Sequence, residues 1–85
     1  MIFYITKYAI TRGIIEIDTD KLRDYKVNDG TRLYAHYRDG TILILNGGEW
    51  YTSKSMAVAD AEQRRMKKIE SLKKQIEKLE KIEFK

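Results

Sequence analysis

"TILILNGGEWYTSKSMAVADAEQRRMKK", residues 41–68, contains the point where the hydrophobic period of the chain changes. Before it, apolar residues alternate or fall in short runs, the pattern of strands. After it they recur every three or four residues, the pattern of a helix. No Gly or Pro occurs after Gly48, so nothing interrupts a helix once it has begun. Thr52 is the expected N-cap, its hydroxyl accepting from an amide of the first turn. The helix is expected from residue 53 to 81, roughly 43 Å long.

Upstream of that point the sequence reads as strands. "IFYIT" is apolar and aromatic, and "GIIEIDTD" alternates through Ile15 and Ile17. "RLYAHY" and "TILIL" flank "RDGT", and "NDGT" at 28–31 is a second turn of the same kind. Asp-Gly favours such hairpins because both positions can take φ > 0. "NGG" at 46–48 ends the fourth run, and "KLRDYK" is the least regular strand segment. The predicted fold is α+β: a small antiparallel sheet of about four or five strands over 1–51, then one long, basic, amphipathic C-terminal helix over 52–85. The 85 residues form a single domain.

A chain this short buries a limited core and often draws extra stability from disulfides, metals or self-association. It has no Cys and one His, His36, which leaves packing and self-association. The apolar start "MIFYITKYAI" lacks a basic leader and a small-residue cleavage site, so no signal peptide is expected. No run approaches the roughly 20 apolar residues of a membrane span. A soluble, cytoplasmic protein that makes no use of a membrane is the expectation.

The net charge of +4 is unevenly placed. Residues 1–51 are neutral, with seven Lys/Arg against seven Asp/Glu, and residues 52–85 hold ten basic and six acidic side chains. "QRRMKK" at 63–68 alone carries +4. Such a cluster attracts phosphates or acidic partners without specifying which.

The helix carries two features. "MAVADA" supplies small residues for close packing on the sheet. Farther along, Ile69, Leu72, Ile76 and Leu79 are spaced 3-4-3, a two-heptad seam with Ile at a and Leu at d, the choice that favours dimers. This stripe lies either on the protein's own sheet or on a partner subunit. A helix longer than strands of ~20 Å overhangs them, which favours a homo-oligomer. Glu70–Lys74 and Glu77–Lys81 are i,i+4 pairs in the favourable order.

Catalytic material is sparse, and no enzyme is expected. His36 sits in "YAHYRD" as a cross-strand residue, and no Gly-rich phosphate loop with Lys-Ser/Thr is present. Asp18, Asp20 and Asp24 read as turn carboxylates. No metal and no cofactor are expected. The nine aromatic and many basic residues are the usable chemistry. Trp50 and Tyr51 precede the helix N-terminus, whose free amides suit a phosphate. An anionic, nucleotide-like ligand is therefore expected to meet Trp50 by stacking, Thr52 through the first turn, and Tyr8, Arg12, Lys54, Arg64 and Arg65 through aromatic or charged contacts. Trp50 and Tyr8 serve equally as sheet-face packing, and 64–68 as a solvated face. Glu62, Glu70, Glu77 and Glu80 weigh against a groove-reading nucleic-acid helix.

"FYITKYAITRGIIEI" at the start, and "W-x-T" followed by "A-x-A-x-x-R-x-KKI-x-SLKKQI-x-KLE", resemble a group of small phage and prophage accessory proteins. The likeness covers both ends, about two thirds of the chain, and leaves 18–49 unmatched. The group's pattern has acidic residues in the first turn after the Thr, where this chain has "SKSM". The resemblance implies a phage accessory protein acting stoichiometrically in the host cytoplasm. Sequestering a nucleotide signal of host defence is one such role; binding DNA or RNA, or inhibiting a host protein, are the alternatives.

Overall fold

Phe3 and Ile5 alternate with Tyr4 along the first strand, and the two sides of that strand meet different layers. The computed structural model describes residues 1–29 and 31–84. In chain order the elements are β1 (Ile2–Ile5), α1 (Ala9–Arg12), β2 (Ile15–Asp18), a 3-10 turn (Thr19–Lys21), β3 (Leu22–Asn28), β4 (Arg32–Tyr37), β5 (Ile42–Leu45), β6 (Trp50–Tyr51) and α2 (Lys54–Glu80). The class is the α+β arrangement predicted.

The strands form two three-stranded antiparallel sheets, β2-β1-β6 and β3-β4-β5, instead of one sheet of four or five. In the first, Phe3 faces Ile17 and Ile5 faces both Ile15 and Trp50 across the ladders. In the second, Leu33 faces Leu45 and Ala35 faces Leu43. Each sheet thus has one apolar face, and the two faces cover each other. Phe3, Ile5, Ile17, Leu22, Leu33, Ala35 and Leu45 form one core between them. Phe3 is its hub, meeting Tyr25 of the second sheet at 5.4 Å and Trp50 of the first at 5.5 Å, both edge-on. The Trp50 indole N–H donates to the Thr31 carbonyl at 2.9 Å, tying β6 to the start of β4.

The chain passes between sheets at the 3-10 turn, where Asp18 Oδ1 accepts from the Asp20 amide at 3.0 Å. That is the turn role expected of Asp18. The irregularity of "KLRDYK" has a physical cause: a bulge between Leu22 and Asp24. It puts two residues, not one, between Leu22 and Tyr25 on the same side of the strand, and so breaks the period.

Both hairpin turns form. Gly40 takes φ 93°, closing a three-residue loop in which Tyr37 N–H donates to Thr41 O at 2.8 Å. Asp39 has no positive φ; its carboxylate accepts from the Thr41 amide instead. At the other turn Thr31 N–H donates to Asn28 O, with Asp29 at φ 51°; Gly30 lies outside the described residues. His36 stands opposite Asp24, Nδ1 3.4 Å from Oδ1, as the cross-strand residue expected.

The helix α2 begins one residue later than predicted. Ser53, not Thr52, is the N-cap, its hydroxyl accepting from Met56 N at 3.5 Å. The strand β6 runs through Tyr51, so the extended backbone of a cap falls on Ser53. The helix lies on the outer face of the first sheet through Ala57, Asp60, Ala61 and Arg64, spaced as one helical face. Ala57 is fully buried, and its small side chain permits the close approach that "MAVADA" suggested. Beyond Arg64 every described residue of α2 is exposed. The stretch 65–80 therefore projects about 24 Å, and the molecule measures 61 × 27 × 23 Å. No described helix is long and apolar enough to cross a membrane.

Candidate functional site

The projecting half of α2 answers one question left open by the sequence. Ile69, Leu72, Ile76 and Leu79 do not lie on the protein's own sheet; they are 43 to 68 % exposed. The physical reason is phase. The sheet-facing residues 57, 60, 61 and 64 and the stripe residues sit about a quarter turn apart at ~100° per residue. The helix has also left the short strands behind by the time the stripe begins. Of the two expected i,i+4 pairs, Glu70–Lys74 is within ion-pair range at 3.8 Å, and it is fully exposed. Exposed pairs of this kind add about 0.2–0.5 kcal/mol each.

A groove runs into this stripe. Ala9 and Ile10 of α1 form one wall and Ala61, Glu62, Arg65, Lys68 and Ile69 of α2 the other, around a groove of about 340 Å³. Ile69 belongs to both groove and stripe, so the two make one surface. The single turn α1 was not anticipated from the sequence. It forms because Gly13, at φ 73°, ends it with its N–H on Ala9 O. Arg12 in its last turn lies over the Tyr8 ring at 5.6 Å, with Lys7 at 5.8 Å on the same ring.

The corner where β6 meets α2 is built around Asp60. Arg64 Nε donates to Asp60 Oδ2 at 2.8 Å, and its other nitrogen donates to Gly48 O at 2.7 Å. The wholly buried Thr6 hydroxyl has two acceptors in reach, Gly48 O at 3.5 Å and the Asp60 carboxylate. Burial alone raises the Asp60 pKa. Hydrogen bonds from Thr6 and Arg64, the Arg64 charge and a hydrogen bond from Tyr51 outweigh it and hold the carboxyl below its ordinary value. Conversely, burial and then the Asp60 charge push the Tyr51 phenol up, against Arg64.

The seven expected ligand residues are not gathered into one place. Trp50 and Thr52 line an open hollow of about 260 Å³ with Tyr51, Met56 and the Gly47–Gly48 turn. The Trp50 ring edge is spent on Phe3 and its N–H on Thr31, so the indole is first a packing residue. Tyr8 and Arg12 pair with each other on α1 and do not line that hollow. Lys54, in the first turn of α2, stands outside it too. Arg64 reaches the corner within its own chain although it lies three turns down the helix, because α2 runs back along the sheet. Its donors are occupied by Asp60 and Gly48. Arg65 pairs with Glu62 and faces the groove.

Sequence reasoning placed Tyr51 at the junction but missed its link to Asp60, and it missed Thr6, Asp60 and the Ile10 wall. Asp60 and Arg64 are an i,i+4 pair, a signal that was available; Thr6 gave none. Among the described residues no group of three or more His, Cys, Asp or Glu is placed to hold a metal. No family model, curated protein or solved structure matches this chain.

Proposed function

We propose that this chain is a non-enzymatic accessory binding protein that works as a homo-oligomer, with the projecting half of α2 as its contact surface. One observation carries the reading: four large apolar side chains, Ile69, Leu72, Ile76 and Leu79, stand exposed on one face of a stretch that no other described part of the chain covers. Exposed apolar residues scattered singly are ordinary on protein surfaces, but a contiguous helical stripe marks an association surface. Light scattering at micromolar concentration tests it. A mass at a multiple of 10.1 kDa is expected, with reversion to one chain in Leu72→Glu with Leu79→Glu. A monomeric wild-type protein refutes the reading.

The second reading, an anionic nucleotide-like ligand sequestered in a phage's contest with its host cytoplasm, is favoured by the hollow that Trp50 and Thr52 line at the start of α2. Trp50→Ala is a poor probe of it, because the same ring packs on Phe3. Met56→Glu is the cleaner change, since Met56 lines the same hollow and is exposed. Nucleotides released by heating the purified protein, and calorimetry with Met56→Glu, test it; unchanged affinity for a nucleotide the wild type binds moves the site elsewhere. A nucleic acid or a host protein would register instead in pull-downs, the former with steep loss of binding as salt rises.

A further inference from the structure

We infer that two copies of this chain pair through α2 in antiparallel orientation, so that the C-terminal end of one helix seats in the groove between α1 and α2 of the other. The inference rests on the self-association reading and adds the orientation and a second contact to it.

Charge decides the orientation. Residues 63–68 carry +4. Residues 80–85 carry two Glu against two Lys, net zero, and the last-turn carbonyls of α2 add partial negative charge. A parallel pair sets the +4 segment of one copy beside the same segment of the other. An antiparallel pair sets it beside this neutral end instead, which removes the like-charge repulsion. With the two-fold axis level with residue 74, the middle of the seam, Arg65 of one copy stands level with Glu83 of the partner subunit. Four apolar layers then lie between two zones in which the basic segment meets Glu80 and Glu83 of the partner subunit rather than its own copy.

The groove decides the second contact. Two heptads are marginal for a coiled coil of two helices, and the apolar surface does not stop at Leu79. Ile82 is exposed and Phe84 is 94 % exposed, beyond the end of the helix. At the other end of the stripe the surface continues past Ile69 to Ile10, also exposed. In the antiparallel pair these two ends meet, twice by symmetry. The apolar tail covers the Ile10 wall while Arg65 and Lys68 on the groove's rim face Glu80 and Glu83 of the partner subunit. A parallel pair leaves both tails and both grooves uncovered.

Disulfide trapping tests this directly, because the chain has no cysteine of its own. Arg65→Cys and Glu83→Cys are made separately, each at an exposed position. Under mild oxidation, a mixture of the two is expected to give a cross-linked pair containing one of each, while neither alone cross-links. Cross-linking of Arg65→Cys with itself, or a dimer with no cross-link in the mixture, overturns the orientation while leaving self-association standing. A monomeric wild-type protein overturns both. As a second measurement, Ile10→Glu, on the exposed wall of α1, is expected to raise the dimer dissociation constant roughly a hundredfold, about tenfold for each of the two symmetric contacts, the scale of one aliphatic side chain lost from each. Unchanged dissociation with a folded variant rejects the groove contact.

Discussion

Arg64 joins α2 to the loop before β6 by donating to the Gly48 carbonyl at 2.7 Å, across sixteen residues of sequence. The same guanidinium holds Asp60. One side chain therefore fixes both the turn that delivers the helix and the helix face that lands on the sheet. The direction in which the rest of α2 projects depends on this fastening.

Arg64→Ala is expected to lower stability by about 1–3 kcal/mol, since it removes two charge-assisted hydrogen bonds and leaves Asp60 half-buried with one charge partner fewer. In a domain this small that is a fall in Tm of roughly 5–15 °C. Arg64→Lys recovers only part, because a single ammonium cannot reproduce the two-pronged contact. Thermal melts of the three proteins decide it; equal melting temperatures contradict the role.

Acid should loosen the same corner. The Asp60 carboxyl is held below its ordinary value when folded, so the folded state favours its charged form. The stabilisation is complete above the unfolded pKa of about 4 and is lost as pH falls through the lower folded value. Asp60→Asn should therefore cost stability at neutral pH and flatten its decline as pH falls below about 4. Asp39, also lowered, by its hydrogen bonds to Thr41, contributes in the same direction and remains in the variant. Urea midpoints at several pH values give the readout, and parallel acid limbs would dismiss Asp60 as a contributor.

Trp50→Phe keeps an aromatic ring on Phe3 and removes the bond to Thr31. The expected cost is about 1 kcal/mol, against roughly 3–5 kcal/mol for Trp50→Ala, which empties the edge of the core. Similar losses for the two would mean that the hydrogen bond, not the ring, is the anchor.

The cap offers a sharper contrast. Ser53→Ala removes the bond to Met56 N and should cost about 0.5–1 kcal/mol, near the low end for caps because that bond is long. Thr52→Ala should cost less, since no hydrogen bond to its hydroxyl is present among the described residues. The reverse order in denaturant titrations would return the cap to Thr52.

By itself the sequence determined the two halves and where they join. Periodicity is a local property, and the change from period two to period 3.6 near Trp50 needed no long-range information to be read. Asp-Gly turns, the unbroken helix and the 3-4-3 stripe are equally local. Only the tertiary structure decided how many sheets form, because that depends on which apolar faces cover which, and strands of two to seven residues pair without signalling across the core. It also decided that the stripe stays bare, since the angle between stripe and sheet-facing residues has meaning only once Ala57 and Arg64 are docked. The same holds for the candidate site. Trp50 was visible as an aromatic beside a helix start, but its commitment to Phe3 and Thr31, and Arg64's to Asp60 and Gly48, arise from packing between segments far apart in the chain.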